Sequence, residues 1–276
     1  MTGVFKAARP GADWLVTAVS VIGPRHERGG QPNQDRCLVH RFGRDKYLLA
    51  VADGAGSRSR AELGAELAVR AARDAAERTV VNRESLVDWC VARDRFALEC
   101  LARFDRLVSD EIAAIRRSDS SAARLRDSFA TTLLAVVVAP PYLLYLSVGD
   151  CFMVVDHDKD GPRLVVTAPE REHAGGTVFL TSSNRDRELT RGLIVDSTIR
   201  GVAISSDGSA EGLLNSRQSA DGQIHYFAPH EFGRYFDRFS DPVSGPHDLA
   251  SRLASAEFAA TSGDDKTIIF AAVARS

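Results

Sequence analysis

The segment Phe129–Asp156, FATTLLAVVVAPPYLLYLSVGDCFMVVD, decides the fold class. It holds three apolar runs, Phe129–Ala139, Tyr142–Val148 and Phe152–Asp156, broken only by Pro140-Pro141 and by Gly149 to Cys151. Val and aromatic residues dominate the runs, and both breaks are short and rich in turn formers, so the segment reads as consecutive hairpins. Links this short join antiparallel strands, because a parallel crossover needs about a dozen residues or more. Working outward, Arg163–Thr167 closes another hairpin, and Arg36–Phe42 and Lys46–Ala52 form one more around Gly43–Asp45. The run YLLAVA (47–52) does not alternate, as expected of a strand covered on both faces.

Further strands are expected at Leu15–Ile22, Thr177–Leu180, Val202–Ser205 and Lys266–Val273. Leu63, Leu67, Ala71 and Ala75 recur at helical spacing, as do Ala97, Leu101, Phe104, Val108, Ile112 and Ile115. Ser209–Ser216 and His247–Ala260 also read as helical. Gly23–Asp35, GPRHERGGQPNQD, reads as a loop. Residues 1–13 read as a tail and 14–276 as one domain, with a polar flap near 168–198. Strands and helices in this order predict an α+β fold, antiparallel sheets flanked by helices.

The chain has 276 residues, 44% hydrophobic and 26% charged, an ordinary globular balance. Lys plus Arg is 35 and Asp plus Glu is 37, a net charge of −2, which speaks against a general nucleic-acid binder. The longest apolar stretch, Leu133–Val148, is broken at Pro140-Pro141 and falls short of the ~18 uninterrupted residues of a membrane helix. The N-terminus has no apolar core of signal type, so the cytoplasm is the expected setting. Cys37, Cys90, Cys100 and Cys151 form no CxxC pair and read as reduced thiols.

The chemistry gathers at strand ends. LLAVADG, LYLSVGD and VAISSDG terminate on Asp53, Asp150 and Asp207, and further acids stand at Asp35 and at Asp264-Asp265. Asp53 and Asp207, each before a predicted helix, could simply cap it. Together they suggest a cluster, and clustered carboxylates raise one another's pKa unless cations sit among them. Oxygen-only ligands select Mg²⁺ or Mn²⁺ over zinc. Glycine after aspartate leaves the carbonyl free to approach a metal. Two such ions can clamp a phosphoryl group for in-line attack without a nucleophilic side chain.

The ordered set Asn33-Gln34-Asp35, Val51-Ala52-Asp53-Gly54-Ala55-Gly56, Gly149-Asp150, Ser206-Asp207-Gly208 and Asp264-Asp265-Lys266-Thr267-Ile268 resembles the metal-dependent protein phosphatases of type 2C. The likeness spans about residue 15 to 273, and its loop 23–35 is similar to a divergent bacterial branch. It implies a four-layer α-β-β-α sandwich with two antiparallel sheets inside. It implies catalytic aspartates at Asp35, Asp53, Asp207 and Asp264, and metal ligation by these, the Gly54 carbonyl and Asp150, with Glu211 as a helper. The cofactor would be Mn²⁺ or Mg²⁺, two or three ions. The activity would be hydrolysis of phosphoserine and phosphothreonine in proteins by a metal-bridging hydroxide. The partners would be a phosphorylated protein and a cognate Ser/Thr kinase, with no nucleic acid and no membrane.

Three positions depart from that family's pattern. Gly30 stands where many members grip the phosphate with arginine, Gln34 replaces an acid, and Ala55 replaces a histidine that serves as general acid in many eukaryotic members. Phosphate binding is therefore expected from His26 and Arg28, with Arg25 in the same loop. These departures also motivate an alternative, a weakly active or inactive phosphatase-like regulator that binds a phosphorylated partner. Another two-metal phosphodiesterase or nuclease is disfavoured by the charge balance. The run Asp156–Gly161 imitates half of a calcium loop, but Thr167 stands where its final Glu belongs, so a hairpin turn is expected there.

Overall fold

The computed structural model describes residues 3–9, 12–42, 46–115, 122–167, 176–219, 224–241 and 243–273. Part of the candidate flap, residues 168–175, lies outside them. In chain order the first elements are β1 (Gly3–Arg9), β2 (Ala12–Val21), α1 (Pro24–Arg28), β3 (Arg36–Phe42), β4 (Lys46–Ala52), α2 (Ala61–Thr79), α3 (Leu86–Ile115) and α4 (Ala122–Asp127). Then come β5 (Leu133–Ala139), β6 (Tyr142–Val148), β7 (Phe152–His157), β8 (Gly161–Val166), α5 (Arg185–Glu188), β9 (Thr190–Val195) and β10 (Ile199–Ser205). A 3-10 turn (Asp207–Ser209) leads into α6 (Ala210–Leu213), β11 (Asn215–Gln218), β12 (Ile224–Phe227), α7 (Phe232–Phe239), α8 (Gly245–Leu253), α9 (Ala256–Thr261) and β13 (Lys266–Val273).

Two antiparallel sheets form the middle of the molecule. One runs β3-β4-β5-β6-β9 and the other β1-β2-β13-β10-β7-β8, with β11-β12 as a separate hairpin. The expected fold class holds. The quoted segment explains why. Along β5, Leu134, Val136 and Val138 enter the core between the sheets, while Leu133, Ala135 and Val137 face the helices. In β4, Tyr47, Leu49 and Val51 face the other sheet, and Leu48, Ala50 and Ala52 face the helices. A strand buried on both faces has no polar side to show, which is why neither run alternates.

The outer layers follow from composition. α2 presents Ala65, Ala68, Ala72 and Ala75, all fully buried, so it lies close against its sheet. The larger Trp89, Phe96, Phe104 and Val108 of α3 fill the same core. Beneath the second sheet, Phe232, Phe236 and Phe239 of α7 surround Phe270 of β13, and Leu249 and Leu253 of α8 complete that layer.

Several local expectations change. Gly3–Arg9, read as a tail, forms β1 along β2. Within the stretch read as an irregular flap, β9 pairs with β6 as an edge strand. Its charged neighbours hid it, and its apolar residues are only partly covered, Leu193 toward the helix-side core and Ile194 toward the core between the sheets. Thr177–Leu180 is not a strand. Part of the loop 23–35 forms α1, Ser209–Ser216 contains only the single turn α6 before β11, and His247–Ala260 divides into α8 and α9. The Asp156–Gly161 run is the expected hairpin turn, with Gly161 at φ +72°. Among the described residues no helix is long and apolar enough to cross a membrane.

Candidate metal and phosphate site

Antiparallel pairing sets the start of one strand beside the end of its neighbour, and this builds the site. Arg36 at the start of β3 pairs with Ala52 at the end of β4, so Asp35 and Asp53 emerge at the same edge. Ser205 at the end of β10 pairs with Ile268 near the start of β13, which sets Asp207 beside Asp264-Asp265. Asp150 follows β6 at that same end of the first sheet, because Val148 pairs with Leu133 and the Thr132 amide bonds the Asp53 carbonyl at 2.8 Å.

Glycines let these segments touch. A Cβ on Gly208 would stand 2.0 Å from the Asp265 carbonyl oxygen, and one on Gly54 would stand 2.7 Å from the Ala61 carbonyl oxygen and 2.9 Å from that of Gln34. Helix capping does not explain the aspartates. Arg60 occupies the cap position of α2, Ser206 that of the 3-10 turn, and neither end has a side-chain cap bond.

Asp53, Asp150 and Asp207 each place a carboxylate oxygen within 4.8 Å of the other two. Asp35 and Asp264 border this trio, since Asp35 repels both Asp53 and Asp207, and Asp264 repels Asp207. Burial pushes Asp35 up to about 7, against Ser206 and Thr267 hydroxyls that stabilise its charge, with Asp265 and Asp207 adding repulsion. Asp53 is raised well above its ordinary value by burial and then by Asp35, Asp207 and Asp150. Asp207 opens to solvent at the mouth, yet desolvation by the surrounding protein and repulsion from Asp150 raise it to about 6.

Two carboxylate oxygens in the cluster, Asp35 Oδ1 and Asp150 Oδ1, are buried without a hydrogen-bond partner among the described residues. An unsatisfied buried acceptor is costly, the more so for a charged group. A hard divalent cation fits this donor set, because every group is oxygen and the repulsion vanishes once positive charge enters. Thr177 Oγ1 holds the other oxygen of Asp150 at 2.5 Å. Glu211 is exposed on α6.

The second acidic residue of Asp264-Asp265 has a different environment. Asp265 is 2% exposed and accepts from the amides of Gly23 and Gln34, each at 2.7 Å, and faces His26 Nδ1 at 2.9 Å. Its oxygens are engaged in holding the loop 23–34. Lys266, also buried, donates to the carbonyls of Ser262 and Asp264, and desolvation lowers its pKa.

Of the phosphate-binding candidates, His26 is buried against Asp265, and Arg28 is exposed and donates to the Pro24 carbonyl of its own helix. Arg25, rather than Arg28, is the cation placed on the carboxylates, through an ion pair with Asp264. The sequence offered Arg25 only as one of three loop cations. The clamp by Asp265 carried no local signal, because its partners lie 231 to 242 residues away.

A family model described as protein phosphatase 2C matches residues 22–255. Serine/threonine-protein phosphatase 3 of Escherichia coli (strain K12) is 28% identical over 269 residues, covering 94% of this chain and 98% of its own. Among solved structures, the serine/threonine phosphatase Stp1 from Staphylococcus aureus superposes with a TM-score of 0.61 at 14% identity, over 94% of this chain and 95% of its own. RsbX in complex with magnesium superposes with a TM-score of 0.55 at 13% identity, over 99% and 100%. At such identities the structural likeness speaks for the fold.

Proposed function

The chain belongs to the protein phosphatase 2C family, and we propose that it is a protein serine/threonine phosphatase that hydrolyses phosphoserine and phosphothreonine directly at a Mn²⁺ or Mg²⁺ centre. The observation that carries this is the convergence of Asp35, Asp53, Asp150 and Asp207, with two buried carboxylate oxygens left unpartnered. Asp53, Asp207, Asp35, Asp264, Asp150 and the Gly54 carbonyl would hold two or three ions. When bound, such ions acidify a water and neutralise phosphoryl oxygens. The magnesium complex of the similar RsbX and the name of the E. coli relative support the same reading.

The residues around the ions also favour direct hydrolysis over a phosphoenzyme. Cys151, next to Asp150, is fully buried, and burial together with Asp150 pushes its thiol well above the ordinary range. It is therefore a poor nucleophile. Phosphate grip falls to the arginines of the α1 segment, Arg25 by its place on Asp264 and the exposed Arg28 read from the sequence, because His26, the other sequence candidate, is buried against Asp265. The substrate would be a phosphorylated protein, its counterpart a Ser/Thr kinase, and its setting the cytoplasm. An inactive regulator is not favoured, because such a protein has no need to keep the raised-pKa carboxylates together.

A Mn²⁺-dependent assay on a phosphothreonine peptide tests the reading, with Asp53→Ala beside it. Phosphate release that requires Mn²⁺ and falls at least about a hundredfold in the variant is expected. Release that is absent, or equal in both proteins, would remove it.

A further inference from the structure

We infer that His26 is the proton donor to the leaving oxygen and that Asp265 is its positioning residue, an inference that rests on the phosphatase reading above. A serine or threonine oxygen leaves as a strongly basic alkoxide unless a proton reaches it as its bond to phosphorus breaks. A donor within hydrogen-bond reach is worth about 10²- to 10⁴-fold.

The groups around the site divide clearly by chemistry. The clustered aspartates are acceptors toward cations, Arg25 does not release its protons, and Lys266 spends its donors on two backbone carbonyls. His26, whose ring lies with the Asp264 and Asp265 carboxylates in a second group of ligand atoms within 4.8 Å of one another, differs in carrying an exchangeable ring proton. Its Nδ1 lies 2.9 Å from Asp265 Oδ2, with side chains only 3% and 2% exposed. The Gly23 and Gln34 amides pin the same carboxylate, so it cannot turn away. With Nδ1–H held on Asp265, Nε2 is the nitrogen left to exchange a proton, the orienting role a buried carboxylate plays for a catalytic imidazole.

The turn after Asp53-Gly54 leaves that nitrogen open. Gly56 is exposed, and a Cβ built on it would stand 3.5 Å from His26 Nε2 and 4.0 Å from Arg25 Nη2. The guanidinium that pairs with Asp264 and the free imidazole nitrogen therefore both lie against one glycine, three residues after Asp53. The charged groups facing the imidazole are Asp264 and Asp265 from the segment entering β13 and Arg25 from its own helix. Asp35 and Lys266 are charged groups that in turn interact with Asp265.

A water oxygen bonds to phosphorus and gives one proton to solvent. The bond from phosphorus to the serine or threonine oxygen breaks, its electron pair stays on that oxygen, and the Nε2 proton moves there. The products are a neutral alcohol, hydrogen phosphate and a neutral imidazole with Nδ1–H still on Asp265. Solvent then returns a proton to Nε2.

The test compares leaving groups in the Mn²⁺-loaded protein. p-Nitrophenyl phosphate releases a stable anion that needs no proton, whereas a phosphoserine peptide does not. His26→Gln, which keeps an amide donor toward Asp265, should lose about a hundredfold or more in kcat on the peptide and under about tenfold on p-nitrophenyl phosphate. Asp265→Asn should show the same selectivity with a smaller loss. Gly56→Val should show it with His26 in place, by covering Nε2, and so carries the test if His26→Gln does not fold. A Mn²⁺-induced rise in melting temperature in each variant shows a folded, metal-competent protein independently of turnover. Equal losses on both substrates, or none, overturn the inference while leaving the phosphatase reading intact. A wild-type protein inactive on both substrates overturns both.

Discussion

The Asp265 carboxylate accepts the backbone amide of Gln34 at 2.7 Å, which ties the segment entering the last strand to the loop before Asp35. The same side chain holds Gly23 and His26, so one buried acid fixes both ends of the loop that carries the candidate phosphate contacts. The function proposed for the molecule depends on this clamp as much as on the acids that would meet metal.

Removing the clamp should destabilise the protein before it affects chemistry. Asp265→Ala leaves three buried donors without an acceptor, and each costs about 1–3 kcal/mol. Urea unfolding should show a loss of about 3 kcal/mol or more, with Asp265→Asn losing less because one oxygen remains. A midpoint unchanged in Asp265→Ala would contradict the clamp.

Metal should repair a strained fold. Ligand that binds only the native state stabilises it by about 2.7 kcal/mol at a hundred times its dissociation constant. The wild-type melting temperature should rise with millimolar Mn²⁺. Asp53→Asn removes one of the mutually repelling carboxylates, so its metal-free form should melt higher than metal-free wild type and respond little to Mn²⁺. Calorimetry in which both proteins respond alike would argue against a metal role for Asp53.

The pH dependence of the metal-free protein has a defined sign. Asp35 and Asp207 hold their protons in the folded state up to about 7 and about 6, above the ordinary 3.8. The native state then binds more protons than the unfolded chain between these values, so stability falls as pH rises. This contribution is full below about pH 4 and is lost through about pH 7. Mn²⁺ should reverse the loss, with a larger thermal shift at pH 7.5 than at pH 5.5. Stability of the metal-free protein that climbs across this window would refute the assignment.

Close backbone contact at the site should be intolerant of a methyl group. Gly208→Ala sets a Cβ 2.0 Å from the Asp265 carbonyl oxygen, where backbone must move. Overpacking of this kind costs about 1–3 kcal/mol or more. Gly30→Ala, where nothing lies within 4 Å but φ is +61°, serves as the comparison for backbone strain alone. Thermal melts that rank the two variants the other way would show that the contact relaxes.

The two exposed arginines of α1 should separate in kinetics. Arg25 pairs with Asp264, and Arg28 bonds only the carbonyl of Pro24 among its described contacts. Arg25→Ala should raise KM for a phosphopeptide by about tenfold, roughly one charge-assisted hydrogen bond. Arg28→Ala should change it less. The reverse order would return the phosphate contact to Arg28.

The strands around Phe129–Asp156, the two-sided burial of β4 and β5, and the acids at strand ends were legible in the chain alone, because each is a local pattern of apolar runs and turn formers. The ordered motifs of Asp35, Asp53, Asp150, Asp207 and Asp264 also marked them as one candidate site. Which acid clamps and which stays open is settled by long-range packing. Asp264 and Asp265 are adjacent and chemically identical, yet Asp265 is 2% exposed and hydrogen-bonded across 231 to 242 residues while Asp264 meets Arg25. β9 and β1 likewise emerged only in three dimensions, where each pairs at the edge of its sheet. Pairings of such long sequence separation are set by sheet register, which no window of neighbouring residues encodes.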